Sequence, residues 1–158
     1  MGRYAQDTSV SVERSKAEIE RTLTRYGADG FQTGWHKGQG KAMVAFEFDG
    51  RHVRFFVDVP DQSDDKFMLT ETGRMRSTAQ SLKAWEQEQR QRWRALNLVV
   101  KAKMEAIECE IETFEEAFLA HLVLPDGSTV AENLIPKIVQ AIEGNKTPRL
   151  LLPETTRG

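Results

Sequence analysis

The residues whose types could carry catalysis or hold a metal are few: His36, His52 and His121, the single cysteine Cys109, and the acids Glu47 and Asp58. The histidines have no i, i+4 or His-Glu-x-x-His spacing and the cysteine stands alone, which is not the pattern of a zinc site. A restriction-type nuclease sets an acid on one strand and Glu-x-Lys on the next. Here Glu47 is followed by Phe48 and Asp49, and Asp58 by Val59 and Pro60, so the lysine that such metal-assisted hydrolysis uses is missing. Gly38-Gln39-Gly40 is not followed by a helix that could turn its N-terminus onto a phosphate. No serine or cysteine sits in a nucleophile motif. The expectation is a protein with no catalytic residue, no metal and no cofactor.

Cations offer a different chemistry. At 100° per residue, Lys83, Arg90, Arg94, Asn97 and Lys101 fall within about 60° of one another, a basic stripe along one edge of a helix. Such a stripe can follow a phosphate backbone, each neutralised phosphate releasing counterions. The plain alternative is solvated surface charge, some of it paired with Glu86 or Glu105. A second set, Gln32, His36, Lys41, His52, Arg54 and Phe56, shares the polar face of a predicted sheet. An aromatic amid cations on an open sheet is the arrangement that stacks unpaired bases. Glu47 and Asp58 share that face and repel phosphate, and Phe56 suits equally well a face covered by a helix or a partner. Trp85 and Trp93, eight residues apart on the apolar side of the same helix, read as core.

These side chains need elements to hold them, and the longest is a helix over 77–111. No glycine or proline lies between Gly73 and Pro125. Ser77 and Gln80 form a capping box, and Leu82, Trp85, Trp93, Leu96, Val100, Ile107 and Ile111 make one apolar stripe. At 1.5 Å per residue this helix is about 50 Å long. Before it, Ser15 with Glu18 reads as another capping box in a first helix over 12–26, closed by Gly27. Asp49-Gly50 between two alternating runs is a strong hairpin signal. It pairs Phe48 with Arg51 and, counting outward, sets Val44, Phe46, Val53, Phe55 and Val57 on one face. The turn at Lys37–Gly40 pairs His36 with Lys41 and puts Phe31, Thr33 and Trp35 on that same face. Residues 60–73 read as a mobile acidic loop with Phe67 or Leu69 tucked in. Thr113 with Glu116 starts a helix carrying Phe114, Phe118 and Leu122. Thr129 with Glu132 opens a last one that runs to Gly144 and is kinked at Pro136. The first ten residues read as loose, and the tail over 145–158 as a segment that docks in a groove or on another subunit.

The chain of 158 residues is of single-domain size. Its formal charge of −2 excludes a basic coat but not a local basic patch. One cysteine rules out a disulfide framework within the chain. There is no apolar run of membrane-spanning length and no signal-peptide core at the start, so a cytoplasmic protein without membrane attachment is expected.

The order helix, three antiparallel strands, helix is similar to that of the double-stranded-RNA-binding domain. It also resembles the β-β-β-α core of Rad52-type and Red-beta-type single-strand annealing proteins. At the level of residues, SVERSKAEIERTLTRYGA, RQRWRAL, VKAKMEAIE and LPDGSTV resemble a widespread group of small phage and prophage proteins of unassigned function. The expectation is an α+β fold: an N-terminal helix, a three-stranded antiparallel sheet, a long central helix on one sheet face and a helical C-terminal part. The expected function is that of a non-enzymatic phage accessory protein binding nucleic acid, single-stranded or distorted DNA, in replication or recombination. Its contacts would be Lys83, Arg90, Arg94 and Lys101 on the helix, with Lys41, Arg54 and Phe56 on the sheet. The alternative is a protein-binding module that inhibits or redirects a host factor, drawing on the acidic loop and the amphipathic helix, which could also support a homodimer.

Overall fold

The computed structural model describes residues 4–147. Helix α1 (Val12–Arg25) is followed by strands β1 (Gly30–His36), β2 (Lys41–Phe48) and β3 (Arg51–Asp58), a one-turn helix α2 (Asp65–Met68), the long α3 (Thr78–Glu108), a short α4 (Phe114–Phe118) and α5 (Val130–Gly144). The strands form one antiparallel sheet in the order β1-β2-β3. This is the expected α+β architecture.

The sheet register is the one the two turns dictate. Phe48 pairs with Arg51 and Val44 with Phe55, while His36 pairs with Lys41 and Phe31 with Phe46. Asp49 and Gly50 both have positive φ, as a two-residue turn of primed type requires. Val44, Phe46, Val53, Phe55 and Val57 are therefore buried on one face, where α1 (Ile19, Leu23), α3 (Trp93, Leu96, Val100, Met104) and α4 (Ala117, Phe118) close over them. Phe118 is fully buried, edge-on to Phe46 with ring centroids 5.3 Å apart.

The capping boxes Ser77–Gln80, Thr113–Glu116 and Thr129–Glu132 all form. Ser15–Glu18 does not. Ser11 caps α1 by accepting from the Arg14 N–H, Ser15 is buried inside the helix, and Glu18 is released for tertiary work. Other boundaries also move. The long helix stops at Glu108, because Glu110 takes a left-handed φ of 56° and the Ile111 N–H turns back to the Ala106 carbonyl, leaving Ile111 exposed. Leu82, expected in the core, is exposed as well. Leu122 is not helical: it bridges Val53 and covers the outer edge of β3, with the Val123 N–H donating to the His52 carbonyl at 2.8 Å. Helix α5 runs through Pro136 as one element.

Two segments read as loose are tied down. The Gln87 side chain donates to the carbonyls of Gln6 and Thr8, which holds the N-terminal segment along α3. In the acidic segment Phe67 is buried, and Lys66 reaches Glu88 of α3 at 2.8 Å. The tail expected to dock lies, beyond Thr147, outside the described residues.

Candidate nucleic-acid interface

Part of the basic edge of α3 is a seam with a neighbouring helix. Helix α1 lies against it, and Glu18 draws its cations in. One Glu18 oxygen accepts from Arg94 at 2.8 Å and from the Asn97 amide at 2.7 Å, with Lys101 3.7 Å away; the other accepts from Arg14 at 3.3 Å. Asn97 has no exposed surface. Burial pushes the Glu18 carboxyl up, but Asn97, Arg94 and Lys101 together hold it below the ordinary glutamate value. Arg94 and Asn97 thus join two helices and interrupt the stripe, while Lys101 stays exposed at its far end. Helical spacing suggests Glu86 and Glu105 as partners. The acid that counts lies 76 residues before Arg94 in the chain.

Of the remaining stripe residues, Lys83 is exposed near the start of α3, and Arg90 donates to the uncharged side chain of Gln87 at 2.6 Å. Arg90 opens onto a cleft of about 1010 Å³ between the N-terminal part of α1, the β1–β2 turn, the end of β3 and the first half of α3. All three tryptophans line this cleft. Trp93 is buried beneath the ammonium of Lys16, 4.6 Å from the ring centroid. Trp85 is fixed by donating its indole N–H to the Pro60 carbonyl at 2.7 Å. Trp35 differs from both: it lies on the core face of β1 but past the end of the helical cover, and it is 75% exposed. Lys41, Lys16, Arg90 and His36 line the cleft together with the acids Glu13, Asp61 and Glu86. Gln89, also in the lining, is nearly buried, and its Nε2 has no hydrogen-bond partner among the described residues.

The outer sheet face brings three of the expected residues together. Lys41 Nζ and the Arg54 guanidinium carbon sit 5.5 and 5.2 Å from the centroid of Phe56, whose ring is 47% exposed. Cations held over an aromatic face are stabilised by its quadrupole. Arg54 is also drawn toward the C-terminal part, donating to the Gly127 carbonyl at 2.9 Å and lying 3.7 Å from Glu132. Glu47 faces His52 at 3.7 Å, while Asp58 lies 3.7 Å from Arg92, which partly offsets its charge. Lys41 therefore belongs to both surfaces, its ammonium 5.5 Å from the Phe56 ring and the residue also part of the cleft lining.

Among the described residues no group of three or more His, Cys, Asp or Glu side chains is placed to hold a metal ion. Cys109 is exposed as the C-cap of α3, with its thiol pushed up by the neighbouring carboxylate of Glu105. No helix among the described residues is long and apolar enough to cross a membrane. Compared with known proteins, the chain matches no family model, no curated protein and no solved structure.

Proposed function

We propose that the chain binds single-stranded nucleic acid, DNA in the first instance, as a non-enzymatic accessory protein of phage type acting in replication or recombination. The strand crosses the end of the β1–β2 hairpin instead of running along α3. Trp35 carries this reading. A tryptophan held on a strand yet three-quarters exposed forgoes about 2 kcal/mol of burial. A base stacked on it contributes about 1–3 kcal/mol. Lys41 supplies a cation on the way from Trp35 to a second stacking surface, Phe56. Trp85 and Arg90 extend the cleft side. Because acids nearly match cations around this cleft, stacking dominates and phosphate contacts are secondary.

Fluorescence anisotropy of a labelled oligothymidylate, with a duplex of equal length as comparison, tests the proposal. The expected result is binding of the single strand in preference to the duplex. Trp35→Ala and Phe56→Ala should each weaken it by about tenfold, the loss of one stack, with thermal melting unchanged because neither ring belongs to the core. No binding at low salt, or a Trp35→Ala protein that binds like the parent, overturns it.

A further inference from the structure

The first half of α3 lines the cleft with Trp85, Gln89 and Trp93. Four residues separate each from the next, so they form one row along the helix. Both tryptophans are already engaged. Trp85 donates its indole N–H to the Pro60 carbonyl at 2.7 Å, and Trp93 lies beneath the Lys16 ammonium. Gln89, between them, is only 7% exposed, and its Nε2 has no hydrogen-bond partner among the described residues. Folded proteins rarely leave a buried amide unpaired. A methionine would fill the same place between two indoles without that cost, so a glutamine there makes sense where the partner arrives with a ligand.

We propose that Gln89 hydrogen-bonds the edge of one base that enters the cleft from the strand stacked on Trp35, so that binding depends on the base and not on stacking alone. The inference rests on the single-strand reading above. A primary amide carries a donor and an acceptor side by side in one plane. Thymine answers it with a ring N–H beside a carbonyl oxygen, and the other bases carry comparable pairs on their edges. A half-turn about the last side-chain bond exchanges the amide nitrogen and oxygen within the same space, so either can meet the base. Charge favours a base over a phosphate at this place. Glu13, Asp61 and Glu86 oppose the cations of the lining, so a phosphate gains little there and an uncharged base is not repelled. Binders that use stacking alone tolerate any base, whereas a site that hydrogen-bonds its ligand rejects an analogue lacking those groups.

Fluorescence anisotropy of a labelled oligothymidylate, against the same oligomer with difluorotoluene in place of each thymine, is the test. This isostere keeps the shape and the stacking face of thymine and lacks its strong hydrogen-bonding groups. The parent protein should bind it about tenfold more weakly, as expected when a buried donor loses its partner. Gln89→Met should bind oligothymidylate about tenfold more weakly than the parent and bind the two oligomers alike. Its melting should be unchanged or raised, because an unpaired amide gives way to an apolar chain of similar length. A parent that binds both oligomers alike overturns the inference and leaves the stacking reading standing, and so does a Gln89→Met protein with the parent's affinity and preference. No oligothymidylate binding at all overturns both. The parent's response to the isostere needs no variant, and it decides the matter even if Gln89→Met fails to fold.

Discussion

At the scale of residues, Glu18 does more than any other single side chain to decide what the surface offers. It gathers Arg94, Lys101, Arg14 and Asn97 into the contact between α1 and α3. Glu18→Ala would leave a fully buried Asn97 without its amide partner and Arg94 without its counter-charge. A loss of about 1–3 kcal/mol in urea unfolding is expected. Arg94→Ala should likewise cost stability and leave oligonucleotide affinity intact, the opposite of the Trp35→Ala pattern. His121 adds a pH dependence. Its ring stacks on Phe55 at 3.9 Å, and burial, then Lys103, lowers its folded pKa below the ordinary 6.5. The unfolded chain takes up the proton first, so stability falls as pH drops through 6.5 toward the lower folded value. Urea midpoints between about pH 5 and pH 7.5 should rise with pH, and His121→Gln should flatten that rise. Glu18, also lowered, acts in a separate window: its contribution is present above the unfolded glutamate value of 4.5 and is lost as pH falls through its folded one.

At the scale of elements, what is encoded locally is legible and what is encoded by contact is not. A two-residue turn with positive φ at Asp49 and Gly50 fixes the register of eight residue pairs between β2 and β3. Three of four capping boxes form for the same reason, since donor and acceptor lie three residues apart. The fourth fails because Ser11 caps α1 four residues earlier and Ser15 is taken into the core. Helix α4 has only five residues, yet it seats Phe118 between Phe46 and Phe55. Phe118→Ala should therefore destabilise the whole domain by about 3–5 kcal/mol, read as a fall in the urea midpoint. A helix this short could not be recognised as a keystone from its period, because its importance lies in the strands it covers.

At the scale of the whole molecule, a charge of −2 and a helix edge interrupted by Glu18 fit the proposed reading, in which stacking outweighs phosphate contacts. If Lys16, Lys41 and Arg90 each neutralise one phosphate, log K against log salt for a single strand should have a slope of about −2. The double variant Arg94→Ala/Lys101→Ala should not change it, and a flatter slope in that variant would restore α3 as the contact. Turns, caps and alternation act over a few residues, so the α+β class, the strand register, the core face of the sheet and most helix starts can be read from the order of residues alone. The same order also indicates which residues are cations and aromatics. Which of them stay open to solvent is set by how the elements pack. The approach of α1 draws Arg94, Asn97 and Lys101 toward one distant acid and buries Asn97 between the helices, while Lys101 stays exposed. The end of the helical cover left Trp35 in water although it shares its face with the core. Exposure depends on what packs alongside, and helical or strand periodicity carries no information about a neighbour dozens of residues away.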